Sequence, residues 1–215
     1  MIEFLLALLV FLAAHSIPAR PAVRSRFVAA LGERPYLVLY SLLSIGLLAW
    51  LISAAVRAPV TPLWPTSLFT YYLALALMLP ANWLLIGGLL TPNPVSISFR
   101  RRSFDPTRPG LVAVTRHPVL WGFALWALLH TIANGDLVSL IMFGGLLLFS
   151  LAGMRLLDRR RRRQLGEGEW RRLRESGRRW SAAQLLTTFG GGTLFYFAAL
   201  HLHPLWGPDV GALLF

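Results

Sequence analysis

The chain has 215 residues, 56% of them hydrophobic, with no cysteine and a formal net charge of +12. Soluble domains keep their apolar share nearer half, so a bilayer is the simplest host, and the missing cysteines exclude disulfides, thiolate metal sites and a cysteine nucleophile. All 21 basic residues are arginines, and most fall in short hydrophilic segments between long apolar ones, whereas a nucleic-acid binder would spread them along one soluble basic face.

Crossing the hydrocarbon takes about 20 apolar residues, and six segments approach that length. They predict an all-α fold: a polytopic membrane helix bundle of about six transmembrane helices, in a single domain over 1–215. The first span, 2–17, has Glu3 as its only early charge and lacks a basic n-region, so it reads as a retained helix rather than a signal peptide. The second is 36–56 and the third 68–90, where Pro80 and Asn82 predict a kink and a polar group at membrane depth. The fourth is 117–133, closed by Asn134-Gly135 in a left-handed turn, and Asp136 is the expected N-cap of the fifth, 137–157. The sixth is 183–202.

Orientation follows from the connections, because cytoplasmic loops retain arginine. The first loop holds Arg20, Arg24, Arg26 and Arg34. The third holds Arg100, Arg101, Arg102, Arg108 and Arg116, and the fifth holds Arg155, Arg159 to Arg163, Arg171, Arg172, Arg174, Arg178 and Arg179. The second loop has only Arg57 and the fourth none. Strict alternation puts both termini on the outer side, with the Arg-rich loops inside against anionic lipid headgroups. The expected location is a bacterial cytoplasmic (inner) membrane, with the lipid bilayer as partner and no nucleic acid.

Ionisable groups inside spans are costly, and here they are chiefly His15, His117, His130, His201 and His203. By this topology His15 and His117 lie near the inner side. His130, 13 residues up the fourth helix and so roughly 20 Å away at 1.5 Å per residue, lies near the outer side with His201 and His203. His130 ends a stripe of Val119, Phe123 and Trp126, a setting suited to a flat hydrophobic cofactor, and neutral imidazole is the usual haem ligand. The alternative is a histidine hydrogen-bonded to a neighbouring helix's backbone. His15, one turn after Phe11, carries the same two readings, and His201 and His203 read as interfacial. In Arg116-His117-Pro118, proline fits a helix start, the imidazole can sit at the interface and the guanidinium can reach a phosphate or headgroup. No HExxH or GxSxG occurs, and Gly190-Gly191-Gly192 lacks a P-loop lysine.

Gly110-Leu111-Val112 through Arg116-His117-Pro118, Leu120-Trp121-Gly122, Leu125-Trp126-Ala127 and His130 resemble the NnrU family of bacterial membrane proteins. The likeness continues through Asn134-Gly135-Asp136, Phe143-Gly144-Gly145 and Gly153-Met154. It also takes in His15, Gly32-Glu33-Arg34, Asp158 with its arginine run, Trp170 and His203-Pro204, which is essentially the whole chain. The family's name links it to nitrite and nitric oxide reduction in denitrification. Its relatives, the 15-cis-zeta-carotene isomerases, hold haem b between two histidines, and carried over residue by residue those ligands fall on His15 and His130. The alternative cysteine ligand of those isomerases corresponds to Ala127.

The resemblance thus implies a haem b membrane protein with His15 and His130 as iron ligands, in nitrogen-oxide respiration or a redox-linked isomerisation. Helical rise places the two histidines at depths roughly 10–15 Å apart, comparable with the span between backbones in bis-histidine haem. The wider superfamily includes isoprenylcysteine carboxyl methyltransferases and methanethiol S-methyltransferases, which share Arg-His-Pro and use S-adenosylmethionine. That alternative gives Arg116 and His117 a cofactor-binding role, assisted by Glu167 or Glu169. A third reading is a non-catalytic assembly factor for a respiratory reductase.

Overall fold

A computed structural model describes residues 1–18, 20–100, 104–174, 179–205 and 207. Arg101, Arg102 and Arg178 of the arginine-rich loops lie outside the described residues. The fold is all-helical, and among the described residues the sole β-type pairing is one isolated bridge between Pro62 and Asp136. The helices are α1 (Ile2–Ser16), α2 (Pro21–Leu31), α3 (Glu33–Val56), α4 (Leu68–Leu90), α5 (Pro118–Asn134), α6 (Leu137–Arg174), α7 (Ala182–Leu185) and α8 (Gly191–Leu202). A π-helical turn, Leu186–Gly190, joins the last two.

The segments expected at 2–17, 36–56, 68–90 and 117–133 form helices close to those bounds, whereas 137–157 is only the first part of the longer α6, and 183–202 is divided among α7, the π-helical turn and α8. Among the described residues, four helical stretches are long and apolar enough to cross a membrane, five if α1 and α2 form one bent span, and α5 at 17 residues is shorter. Bulky apolar side chains stay exposed along them, among them Ile45 on α3, Phe69 on α4, Leu148 on α6 and Leu194 on α8. Water would oppose that exposure at about 25 cal/mol per Å², whereas lipid tails accept it.

Two features extend the sequence reading. The first loop contains a helix, α2, which starts with proline at its first turn and ends at Gly32, whose φ of 82° suits glycine. Beyond Leu157, α6 continues through the arginine run and breaks its helical geometry only at Gly166 (φ 78°). The left-handed closure at Gly135 (φ 69°, ψ 18°) is present, and α6 starts directly after Asp136.

The chain divides into two compact units, Met1–Pro62 with Asp136–Val138 and Leu63–Gly135 with Ser139–Phe215. In the first, α1 packs on α3, and Phe4 and Ala7 of α1 and Leu51 and Ala54 of α3 are all buried. Glu3 accepts hydrogen bonds from Trp50 (3.2 Å) and Arg57 (2.7 Å), tying the start of α1 to the end of α3. Small residues let helices approach closely where no hydrophobic drive separates them from lipid, and the second unit relies on them. A Cβ on Gly122 of α5 would lie 2.9 Å from the Ala81 carbonyl oxygen and Leu85 nitrogen of α4, and one on Gly192 of α8 would lie 2.9 Å from Trp83 Cα. Across α4 and α8, Trp83 donates to Thr193 (2.9 Å) and Tyr196 to the Leu75 carbonyl (3.1 Å). Asn82 is buried in α4 and satisfies its amide by donating to the Met78 carbonyl one turn back (2.7 Å).

Candidate functional site

Two sets of histidine-centred contacts stand out, one at each end of α5. Pro118 opens α5, so His117 is its N-cap residue and Arg116 precedes it. His117 is only 4% exposed. Its two ring nitrogens are both engaged: Nδ1 lies 2.9 Å from Ser96 Oγ and Nε2 lies 2.7 Å from Asp158 Oδ1. Arg116 donates to the same carboxylate, from Nη2 to Oδ2 at 2.9 Å and from Nε to Oδ1 at 3.4 Å. Its guanidinium also lies over the buried Trp170 ring, 5.4 Å from the centroid. A planar fork on a carboxylate and an aromatic face is a setting for arginine that lysine does not reproduce.

The loop after α4 is built to meet this cluster. Asn93 Oδ1 accepts from the backbone N–H groups of Val95 and Ser96 (3.0 Å each), which fixes the turn that carries Ser96, and Asn93 Nδ2 donates to the Arg116 carbonyl (2.9 Å). Asp158 follows Leu157, the last residue of the apolar part of α6. Burial pushes its carboxyl upward, but the hydrogen bonds and charges of Arg116 and His117 outweigh that and hold it below the ordinary carboxylate range. Chemically, the carboxylate orients the imidazole and balances Arg116, leaving a connected Ser96–His117–Asp158–Arg116 network. Glu167 and Glu169 make ion pairs with Arg162, Arg171 and Arg172.

At the other end of α5, His130 packs its ring against Trp126 (4.8 Å between centroids), Phe143 (4.9 Å) and His203 (6.3 Å). Its Nδ1 lies 2.8 Å from the Trp126 carbonyl. A carbonyl only accepts, so Nδ1 carries the hydrogen, and in the neutral ring Nε2 keeps its lone pair. His15, in the first unit, repeats the arrangement: Nδ1 donates to the Phe11 carbonyl at 2.7 Å, with Phe11 at 4.2 Å and Tyr40 at 6.0 Å between ring centroids. The alternative reading of these histidines had expected a neighbouring helix's backbone as partner. The partner in both cases is a carbonyl of the histidine's own helix, four residues back.

A carbonyl on the distal ring nitrogen is a common way for a protein to orient a metal-ligating imidazole. Aromatic neighbours and an Nε2 not used by that hydrogen bond therefore fit a haem at either histidine. No group of three or more His, Cys, Asp or Glu side chains close enough to hold a bare metal ion occurs among the described residues. The sequence reading singled out His15, His130, Arg116 and His117. It did not give Ser96 or Asn93 a role, because the uncharged stretch 91–99 that opens the third loop carries no periodic or charge signal. Asp158 was visible as a lone carboxylate beside an arginine run, but its attachment to His117 depends on folding.

Comparison with curated proteins and with solved structures gives no match. The family model described as NnrU protein matches residues 3–209, and the chain therefore belongs to the NnrU protein family.

Proposed function

We propose that this NnrU-family protein binds haem b in the membrane, with His130 as an axial ligand of the iron and His15 as the second candidate ligand. It would serve nitrite or nitric oxide reduction or a redox-linked isomerisation. One observation carries this reading: both histidines donate Nδ1–H to a carbonyl one turn back, which keeps Nε2 available, and both stand among aromatic rings. Haem iron so held would supply one-electron chemistry or a site for a nitrogen oxide or polyene. The protein's own share is to orient each imidazole and to keep the surroundings apolar.

Arginine distribution supports a cytoplasmic-membrane location with the Arg-rich loops inside, resting on anionic headgroups. The test is direct. Full-length protein, produced with haem supplementation and purified in mild detergent, should show a Soret band that shifts on dithionite reduction, and His130→Ala should lose or alter it. A haem-supplemented preparation without a Soret band ends this reading.

A further inference from the structure

We propose that His203 occupies the coordination position opposite His130 on the same iron. This rests on the haem reading above and concerns the identity of the second ligand.

An imidazole nitrogen ligates a first-row metal at about 2.0 Å, and its ring centre lies roughly 1 Å further back, so two imidazoles on opposite sides of one iron have centres about 6 Å apart. The His130 and His203 ring centroids are 6.3 Å apart. Their rings are inclined by 33°, and rotation of one imidazole against the other about the axial bonds accommodates any such angle. Of the other four histidines, His203 is the one whose ring lies beside that of His130 within the same compact unit.

Chain topology agrees with the pairing. His130 is near the C-terminal end of α5, and His203 starts the short 3₁₀ turn His203–Leu205 at the C-terminal end of α8. Both belong to the outer side in the arginine-derived topology, which puts His15 near the inner side. An iron held by His130 and His203 therefore needs no ligand from another depth.

The chain after His203 turns back close to its ring: Gly207 N–H donates to the His203 carbonyl at 3.0 Å, and a Cβ at position 207 would lie 2.6 Å from the imidazole Cε1, 3.1 Å from Nδ1 and 3.4 Å from Nε2, so only glycine leaves room there. Trp126 and Phe143 wall His130, and its Nδ1 is already committed to the Trp126 carbonyl, so Nε2 is the nitrogen left for iron.

The experiment compares full-length wild type, His203→Ala and His15→Ala, each purified with haem and read by absorption and electron paramagnetic resonance. The wild type should be six-coordinate and low-spin. His203→Ala should lose the low-spin signal and become high-spin, and added imidazole should restore it, since the small ligand fills the vacated position. His15→Ala is the discriminating variant, because His15 is the other candidate for the second position: if His203 fills that position, the low-spin spectrum survives this replacement.

Low-spin haem that survives in His203→Ala but is lost in His15→Ala overturns the assignment and leaves haem binding intact. Equal loss in both variants, or failure of imidazole to restore His203→Ala, also overturns it. Wild type without a Soret band overturns the haem reading and the ligand assignment together.

Discussion

Replacing Asp158 by alanine tests whether the Arg116–His117 cluster is a structural keystone of the second unit. The carboxylate accepts from Arg116 twice and lies 2.7 Å from His117 Nε2. Arg116 and Asp158 side chains are 37% and 29% exposed, so water compensates much of that ion pair, whereas His117 is 5% exposed at its side chain and would be left with an unsatisfied ring nitrogen. A lost hydrogen bond to a charged group costs about 1.5–3 kcal/mol, and breaking a fully buried pair costs about 3–5 kcal/mol. The intermediate exposure places Asp158→Ala at about 2–3 kcal/mol. For a chain of this size, each kcal/mol moves Tm by about 2–4 °C, so Tm should fall by about 4–12 °C.

Thermal unfolding in mild detergent, followed by circular dichroism, reads this shift. Glu169→Gln is the control, because Arg172 and Glu169 pair at 3.4 Å with side chains 70% and 43% exposed, and such surface pairs contribute about 0–1 kcal/mol. The sign with pH also follows. The folded-state carboxyl sits below its ordinary value, so its contribution is whole above about pH 4 and is lost as pH falls through the folded-state value. A Tm drop for Asp158→Ala no larger than that of Glu169→Gln at pH 7 refutes the reasoning.

Three other outcomes are expected. Gly122→Ala places a methyl 2.9 Å from backbone atoms of α4, which cannot rotate away, so it should destabilise by about 1–3 kcal/mol, read as a lowered Tm; an unchanged Tm would show that α4 and α5 are not held at this spacing. Thr188 is fully buried and its hydroxyl has no hydrogen-bond partner among the described residues, so Thr188→Val should match or exceed wild-type stability by up to about 1 kcal/mol. A clear Tm loss there would reveal a partner for the hydroxyl or a steric limit set by Gly87. Because the chain has no cysteine, single cysteines report topology: in right-side-out vesicles an impermeant thiol reagent should label Pro62→Cys and spare Arg161→Cys, and the reverse pattern would invert the orientation.

Much of this architecture was legible before folding, for a plain reason. A bilayer demands about 20 consecutive apolar residues in a structure that satisfies its own backbone, so apolar length alone locates α3, α4 and α6. Gly135 was legible as well, since Asn-Gly at a helix end commonly signals a left-handed cap. The α2 helix escaped notice because Arg24 and Arg26 break its apolar pattern. Its stability comes partly from tertiary contacts, with Arg24 bonded to Glu33 at 3.2 Å and Phe27 stacked on Tyr36. Likewise, the lack of acidic residues in the arginine run hid the continuation of α6, although arginine is a good helix former.

What the amino-acid sequence determined by itself is whatever depends on one segment at a time: the helices, their apolar faces, the inventory of histidines and the family. What only tertiary structure decided is which side chains meet. Ser96, His117 and Asp158 come from three separate segments, and no spacing rule brings a loop serine to an imidazole and that imidazole to a carboxylate on another helix. The same holds for His130 and His203, separated in sequence by the whole of α6, α7 and α8 yet 6.3 Å apart between ring centres. Periodicity orders residues along one helix, but close approach between helices is set by where glycines such as Gly122 and Gly192 permit it.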